Sequence, residues 1–266
     1  MIVAQISDTH LIVEGQASEQ RLADFHAVIA DINALDPVPD VIVHTGDIVH
    51  NGTLDEYAAA AEILGQAKLP VYALAGNKDD RANLQAAFSD GGYLRSDTAF
   101  VTYAVDGFPV RLLMLDTVDP DSKRGAFCAE RFDLLADFLA SAPERPTAIF
   151  LHHPPFEVLV GPDRWHFDDR AVGDQLANVI SAAENVVGVF CGHVHRLTTG
   201  TVGGVPALVG SAVASELRYG EYPEAADRQP IYFLHHFDTE GRFRTELRIA
   251  DAGPMDFYPA AVAASA

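Results

Sequence analysis

Five short stretches place potential metal ligands at the end of an apolar run: Ser7-Asp8-Thr9-His10, Thr45-Gly46-Asp47, Ala75-Gly76-Asn77, His152-His153-Pro154-Pro155 and Gly192-His193-Val194-His195. A single histidine beside apolar residues is usually structural, but coincidence over five such ends is hard to accept. The set Asp8, His10, Asp47, Asn77, His152, His193 and His195 mixes imidazole with hard oxygen, which suits Mn, Fe, Zn or Co better than Ca or a thiolate-selected ion. Seven ligands overfill one tetrahedral zinc. A carboxylate has two oxygens, so one aspartate can bridge a pair of divalent transition metal ions about 3.5–4 Å apart.

The elements that carry these residues follow from pattern. Apolar runs of strand length recur at Ile2 to Ile6, Val41 to His44, Val71 to Leu74, Ala148 to Leu151 and Val186 to Phe190, with helical segments between several of them. Residues 21–35 place Leu22, Phe25, Ile29, Ile32 and Leu35 on one stripe, and Asp-Pro-Val-Pro follows as a stop. Further helices are expected at 54–65, 81–88, 130–139 and 171–183. Residues 99–105 and 110–115 flank Asp-Gly-Phe-Pro like a hairpin, and strands near 231–237 and 243–249 suggest a second, antiparallel sheet after residue 198. The alternation is that of an α/β fold, in which ligand sites lie beyond the carboxyl ends of the strands. Glycines 46, 76 and 192 permit tight turns and close backbone approach there.

The chain has 266 residues, 48 % hydrophobic and 21 % charged, which is ordinary for a globular protein. No linker or repeat divides it, so a single domain is expected over 1–250, with 251–266 a C-terminal tail. Its charge is not ordinary: 18 Lys+Arg against 38 Asp+Glu give −20, which disfavours a nucleic-acid polymer as partner. Cys128 and Cys191 form no CxxC pair, no basic leader precedes the first apolar run, and no stretch approaches a membrane span. A cytoplasmic protein with no membrane partner is expected.

Taken in order, Asp-x-His, Gly-Asp, Gly-Asn, His-His-Pro-Pro and Gly-His-x-His resemble the calcineurin-like metallophosphoesterase family. The Ile-Ser-Asp-Thr-His opening and Cys-Gly-His-Val-His look most like its class III branch of cyclic-nucleotide and glycerophosphodiester phosphodiesterases. The resemblance implies a four-layer α/β/β/α sandwich of two mixed sheets flanked by helices. It implies that Asp8, His10 and His195 hold one metal, that Asn77, His152 and His193 hold the other, and that Asp47 bridges.

The implied activity is hydrolysis of a small phosphodiester, a 3′,5′-cyclic nucleotide or a glycerophosphodiester, by attack of a metal-bound hydroxide. A phosphomonoesterase is the enzymatic alternative, and a metal-binding scaffold without turnover is the alternative from another class. Relatives in the branch form dimers or larger assemblies, so a homo-oligomer is a further expectation. One departure stands out: the family carries Asn-His-Asp after the third strand, and here the sequence is Asn77-Lys78-Asp79. Lys78 and the histidine beside the ligand, His153, are the residues expected to assist catalysis. Trp165, His166 and Phe167, with Tyr219 and Tyr222, are candidate walls for a substrate group, whereas His44, His50, His235 and His236 read as structural.

Overall fold

The computed structural model describes residues 1–94, 98–159 and 163–255. In chain order the strands and α-helices are β1 (Ile2–Ile6), α1 (Ser18–Ala34), β2 (Val41–His44), α2 (Leu54–Leu64), β3 (Val71–Ala73) and α3 (Arg81–Ala87). Then follow β4 (Tyr103–Val105), β5 (Arg111–Leu115), α4 (Ala129–Ala140), β6 (Thr147–Leu151), α5 (Arg170–Ser181) and β7 (Val186–Cys191). The last strands among the described residues are β8 (Thr198–Val202), β9 (Val205–Val209), β10 (Ile231–Phe237), β11 (Phe243–Ile249) and β12 (Gly253–Met255).

Among the described residues these form two six-stranded mixed sheets, ordered β12-β11-β10-β1-β2-β3 and β4-β5-β6-β7-β9-β8. Each central strand is buried on both faces, and its period of two divides its side chains between two layers. Ala4, Ile6 and Ile42 face Phe25, Ile29 and Ile32 of α1, with α2 and α3 alongside. Leu113, Leu115, Ile149 and Leu151 face Phe132 and Leu135 of α4 and Leu176 and Ile180 of α5. The alternate residues Val3, Val41, Val43, Leu112, Met114, Ala148 and Phe150 meet Phe190, Phe233 and Leu208 between the sheets. The result is the expected α/β/β/α sandwich. Each fully buried Val, Leu, Ile or Phe stabilises it by about 1.5–3 kcal/mol.

The second sheet differs from expectation in where it begins. It starts with β4, and the hairpin β8–β9 joins it through β9, which runs parallel to β7. Strands β10 and β11 instead extend the first sheet, where β10 pairs antiparallel to β1 from Ile2↔His236 to Gln5↔Phe233. Sequence pattern marks a strand but not its neighbour, because the neighbour is chosen by the crossover. The sheet also continues past residue 250: Gly253–Met255 pairs with β11, while 256–266 lie outside the described residues.

Register sets the rim. Ile6 lies opposite His44 and His44 opposite Ala73, so parallel β1, β2 and β3 end level with one another. In the other sheet β6 and β7 are likewise parallel, with Phe150 opposite Phe190. All five ligand-bearing loops therefore leave the sandwich at one edge. Among the described residues, no helix is long and apolar enough to cross a membrane.

Candidate metal centre

The loops hold unusual backbone. Asp8, His10, Asp47, His193 and His195 all take positive φ, between 42° and 72°. Asp and His tolerate this left-handed region better than most residues, but each such position still costs about 1–3 kcal/mol and persists only where its surroundings enforce it. Here the enforcement is visible: the Asp8 N–H donates to the Gly46 carbonyl at 3.0 Å, the His10 N–H to the Asp47 carbonyl at 2.9 Å, and the Gly192 N–H to the His152 carbonyl at 3.0 Å.

Glycines make the approach possible. A Cβ on Gly46 would lie 2.7 Å from His152 Nδ1, one on Gly76 2.3 Å from the Asp47 nitrogen, and one on Gly192 2.1 Å from Ser7 Oγ. Gly46 also needs its φ of 93°, whereas Gly76 and Gly192 are required for space alone.

Two donor clusters converge. Asp8, His10, Asp47 and His195 offer ligand atoms within 4.8 Å of one another, and so do His152, His153 and His193. In the first, His10 Nε2 lies 3.0 Å from His195 Nε2, and Asp8 Oδ1 lies 3.3 Å from His195 Nε2. Asn77 joins the second: its Oδ1 is 2.9 Å from His193 Nδ1 and 3.3 Å from His152 Nε2. Asp47 faces both, with Oδ2 3.4 Å from His10 Nε2 and Oδ1 3.5 Å from His152 Nε2.

The tautomers agree with metal binding. A carbonyl only accepts, so His152 Nδ1 donates to the Thr45 carbonyl at 2.8 Å and His195 Nδ1 donates to the Leu217 carbonyl at 3.0 Å. In the neutral rings this leaves both Nε2 lone pairs aimed into the clusters. By the same reasoning His153 is committed: Nε2 donates to the Lys123 carbonyl at 3.2 Å and Nδ1 accepts from Thr117 Oγ1 at 2.8 Å. Its ring packs on His193, with centroids 4.5 Å apart, and offers no lone pair to an ion.

Burial and neighbouring charge set the protonation states. Burial holds His10 and His193 well below the usual imidazole range, the neutral form that a metal requires. Burial opposes ionisation of Asp8, but His195, His152 and His10 outweigh it and hold the carboxyl below its usual range. Burial and the adjacent Asp8 charge push Asp47 up to about 8. Burial also opposes protonation of His195, yet Asp8 raises it overall.

Imidazole nitrogens, one amide oxygen and two carboxyl groups with donor separations near 3.0–3.5 Å match the edges of a coordination shell with bonds of about 2.1 Å. The residues present therefore fit two divalent ions.

Around this centre, Asp79 accepts from the N–H groups of Ile48, Val49 and Gly76 and from the Tyr57 hydroxyl at 2.9 Å, tying the second and third loops together. Burial, then Asp47, pushes it up to about 7. The half-buried Lys78 donates its backbone N–H to Asp47 Oδ1. His50, expected to be structural, lies at the centre, with Nδ1 3.3 Å from His10 Nδ1. His44 and His235 do serve structure: His44 donates from Nε2 to Thr9 Oγ1, and His235 Nε2 donates to Gln5 Oε1.

Of the candidate walls, His166 packs edge-on to His193 at 5.0 Å and Phe167 lies 6.2 Å from His153. Trp165 instead takes the Arg170 guanidinium over its ring. Tyr219, 60 % exposed, stacks on His195 at 5.9 Å, while the Tyr222 hydroxyl pairs with Ser211. Asp79 and Arg21 were given no role from sequence and His50 a structural one, because their partners lie on loops or turns distant along the chain and leave no periodic signal.

Fold and donor set define an α/β/β/α protein with a candidate two-metal centre. The sequence profile of the calcineurin-like phosphoesterase family matches residues 1–197, and the chain belongs to that family. A probable glycerophosphodiester phosphodiesterase GpdQ of Arcobacter nitrofigilis is 30 % identical over 97 % of both chains. The 3′,5′-cyclic adenosine monophosphate phosphodiesterase CpdA of Pseudomonas aeruginosa is 25 % identical over 94 % of this chain and 90 % of its own. A dimetal phosphatase from Danio rerio shares the fold, with a TM-score of 0.65 at 14 % identity and 95 % of each chain covered.

Proposed function

We propose that this chain is a metal-dependent phosphodiesterase acting on a small soluble diester, a 3′,5′-cyclic nucleotide or a glycerophosphodiester. The observation that carries the reading is Asp47, one carboxylate turned to both donor clusters. The diester preference rests on what relatives similar along most of the chain are named for. Asp8, His10 and His195 would hold one ion and Asn77, His152 and His193 the other, with Asp47 turned to both. When bound there, divalent ions would supply Lewis-acid charge to the phosphoryl group and lower the pKa of a water toward neutrality.

The chain's own residues do the rest. Lys78, next to the ligand Asn77, adds positive charge where phosphoryl oxygens gain negative charge. His153 touches no reacting atom in this reading; it holds the His193 ring in place. Tyr219 and His166 border the two clusters on separate loops and receive the alcohol portions of the ester. The separate cysteines and the strong negative charge support a cytoplasmic enzyme with no nucleic-acid polymer as substrate.

The test is turnover by protein of known Mn content. Bis(p-nitrophenyl) phosphate should be hydrolysed in preference to p-nitrophenyl phosphate, and a screen of cyclic AMP, cyclic GMP and glycerophosphodiesters should find the natural class. A monoester with kcat/KM about tenfold above every diester would replace this reading with a phosphomonoesterase. Stoichiometric metal without turnover of any ester would leave a binding scaffold.

A further inference from the structure

Helix α1 carries two charged side chains on the face that packs against the molecule: Arg21 is 7 % and Asp24 2 % exposed. Apolar residues there would serve stability alone, since desolvating charge is costly. What these two touch is specific. Arg21 Nη1 donates to the His10 carbonyl at 2.8 Å, and its Nε donates to Glu216 Oε1 at 2.7 Å. Asp24 accepts the Ser215 N–H at 2.8 Å. Glu216 lies within the 3-10 turn Ser215–Leu217, whose Leu217 carbonyl takes the Nδ1 proton of His195. The Val213 and Ala214 N–H groups donate to the carbonyls of Ser7 and Asp8.

One guanidinium thus grips the backbone of His10 on one side and, on the other, the turn that orients His195. These two histidines lie 185 residues apart in the chain, and their Nε2 atoms meet at 3.0 Å. A guanidinium suits this task because its planar fork presents donors in two directions and keeps its charge at any working pH. A lysine offers one nitrogen and no fixed fork.

We propose that Arg21, paired with Glu216, is the positioning residue of the first metal position, setting its affinity by holding His10 and His195 at coordinating distance. The inference rests on the metal reading above. Arg21 touches neither substrate nor ion.

The experiment is Mn(II) titration of metal-free protein, free Mn(II) being followed by electron paramagnetic resonance. An Asn77→Ala background isolates the first position and a His195→Ala background the second. Arg21→Met should weaken Mn(II) binding about 10- to 100-fold in the first background and by less than about threefold in the second, the usual scale for a residue supporting a ligand. Glu216→Ala should give the same selective loss, and Glu216→Gln, which keeps an acceptor for Nε, should restore binding to within about threefold of wild type.

Equal weakening in both backgrounds would reduce Arg21 to a general structural residue, and no weakening in either would remove the brace; each result overturns the proposal. Should Arg21→Met fail to fold, the partly exposed Glu216 decides alone through its two variants. Wild-type protein that takes up no Mn(II) would overturn the metal reading itself, and the proposal with it, which the two-background comparison keeps distinct from failure of Arg21 alone.

Discussion

Lys78 is joined to Asp47 by its backbone: the Lys78 N–H donates to Asp47 Oδ1 at 2.7 Å. Any residue but proline makes this bond, so the bridging carboxylate stays oriented when the side chain is removed. Lys78→Ala should therefore keep both metals while kcat falls about 10- to 1000-fold, the usual loss of one electrostatic donor. Steady-state kinetics beside metal analysis checks it. Wild-type kcat at unchanged occupancy would return the ammonium to solvent.

Asp47 supplies one oxygen to each cluster, so its loss should differ in kind from loss of a ligand on one side. Under saturating Mn(II), wild-type protein should hold two ions per chain. Asp47→Ala should weaken both positions by at least about tenfold, whereas Asn77→Ala should leave the first occupied. Metal content after desalting distinguishes the cases, and an Asp47 variant that keeps both ions would contradict the bridge.

The candidate donors were legible in sequence because each stands within four residues of a strand's end, where polar residues interrupt an apolar run. Strands β10 and β11 match their expected spans for a similar reason, being long and bounded by turns. Sheet membership was not legible: β8–β9 and β10–β11 are both antiparallel pairs yet enter different sheets. The supports of the site were hidden as well. Asp79 reaches back about thirty residues to the N–H groups of Ile48 and Val49, and Arg21 sits beside a helical stripe whose apolar members alone define the pattern.

Gly76 separates space from conformation. Its φ is not positive, so the backbone itself would accept alanine, but the new Cβ would stand 2.3 Å from both the nitrogen and Oδ1 of Asp47. The Asp47 nitrogen is backbone and cannot swing aside, and the Asp47 carboxylate and the His152 ring crowd the same space. Gly76→Ala should cost about 1–3 kcal/mol of stability, the range for overpacking, and displace the bridging carboxylate, lowering metal content. Urea denaturation and metal analysis measure the two effects. Wild-type values in both would show that the loop has room.

The core between the sheets makes a prediction away from the metals. His235 is fully buried beside Phe190, with Nε2 on Gln5 Oε1 and Nδ1 on Thr245 Oγ1 at 2.8 Å. Burial, assisted by neighbouring His236, lowers it to about 3. An unfolded histidine titrates near 6.5, so between these values the unfolded chain binds a proton that the folded chain refuses. The contribution of His235 is thus complete above pH 6.5 and is lost as the pH falls toward 3. His44, lowered by burial to about 3, adds a contribution of the same sign, so removing one histidine should remove only part of the slope.

In His235→Gln the amide can still pair with Gln5 but does not titrate. Stability should then fall less steeply than in wild type as the pH is lowered from 6.5 to about 4.5, by up to about 1.4 kcal/mol per pH unit. Urea unfolding of the two metal-free proteins across this window reads the difference directly, since the ligand histidines are common to both. Parallel curves for variant and wild type would mean that His235 takes up its proton without leaving the fold.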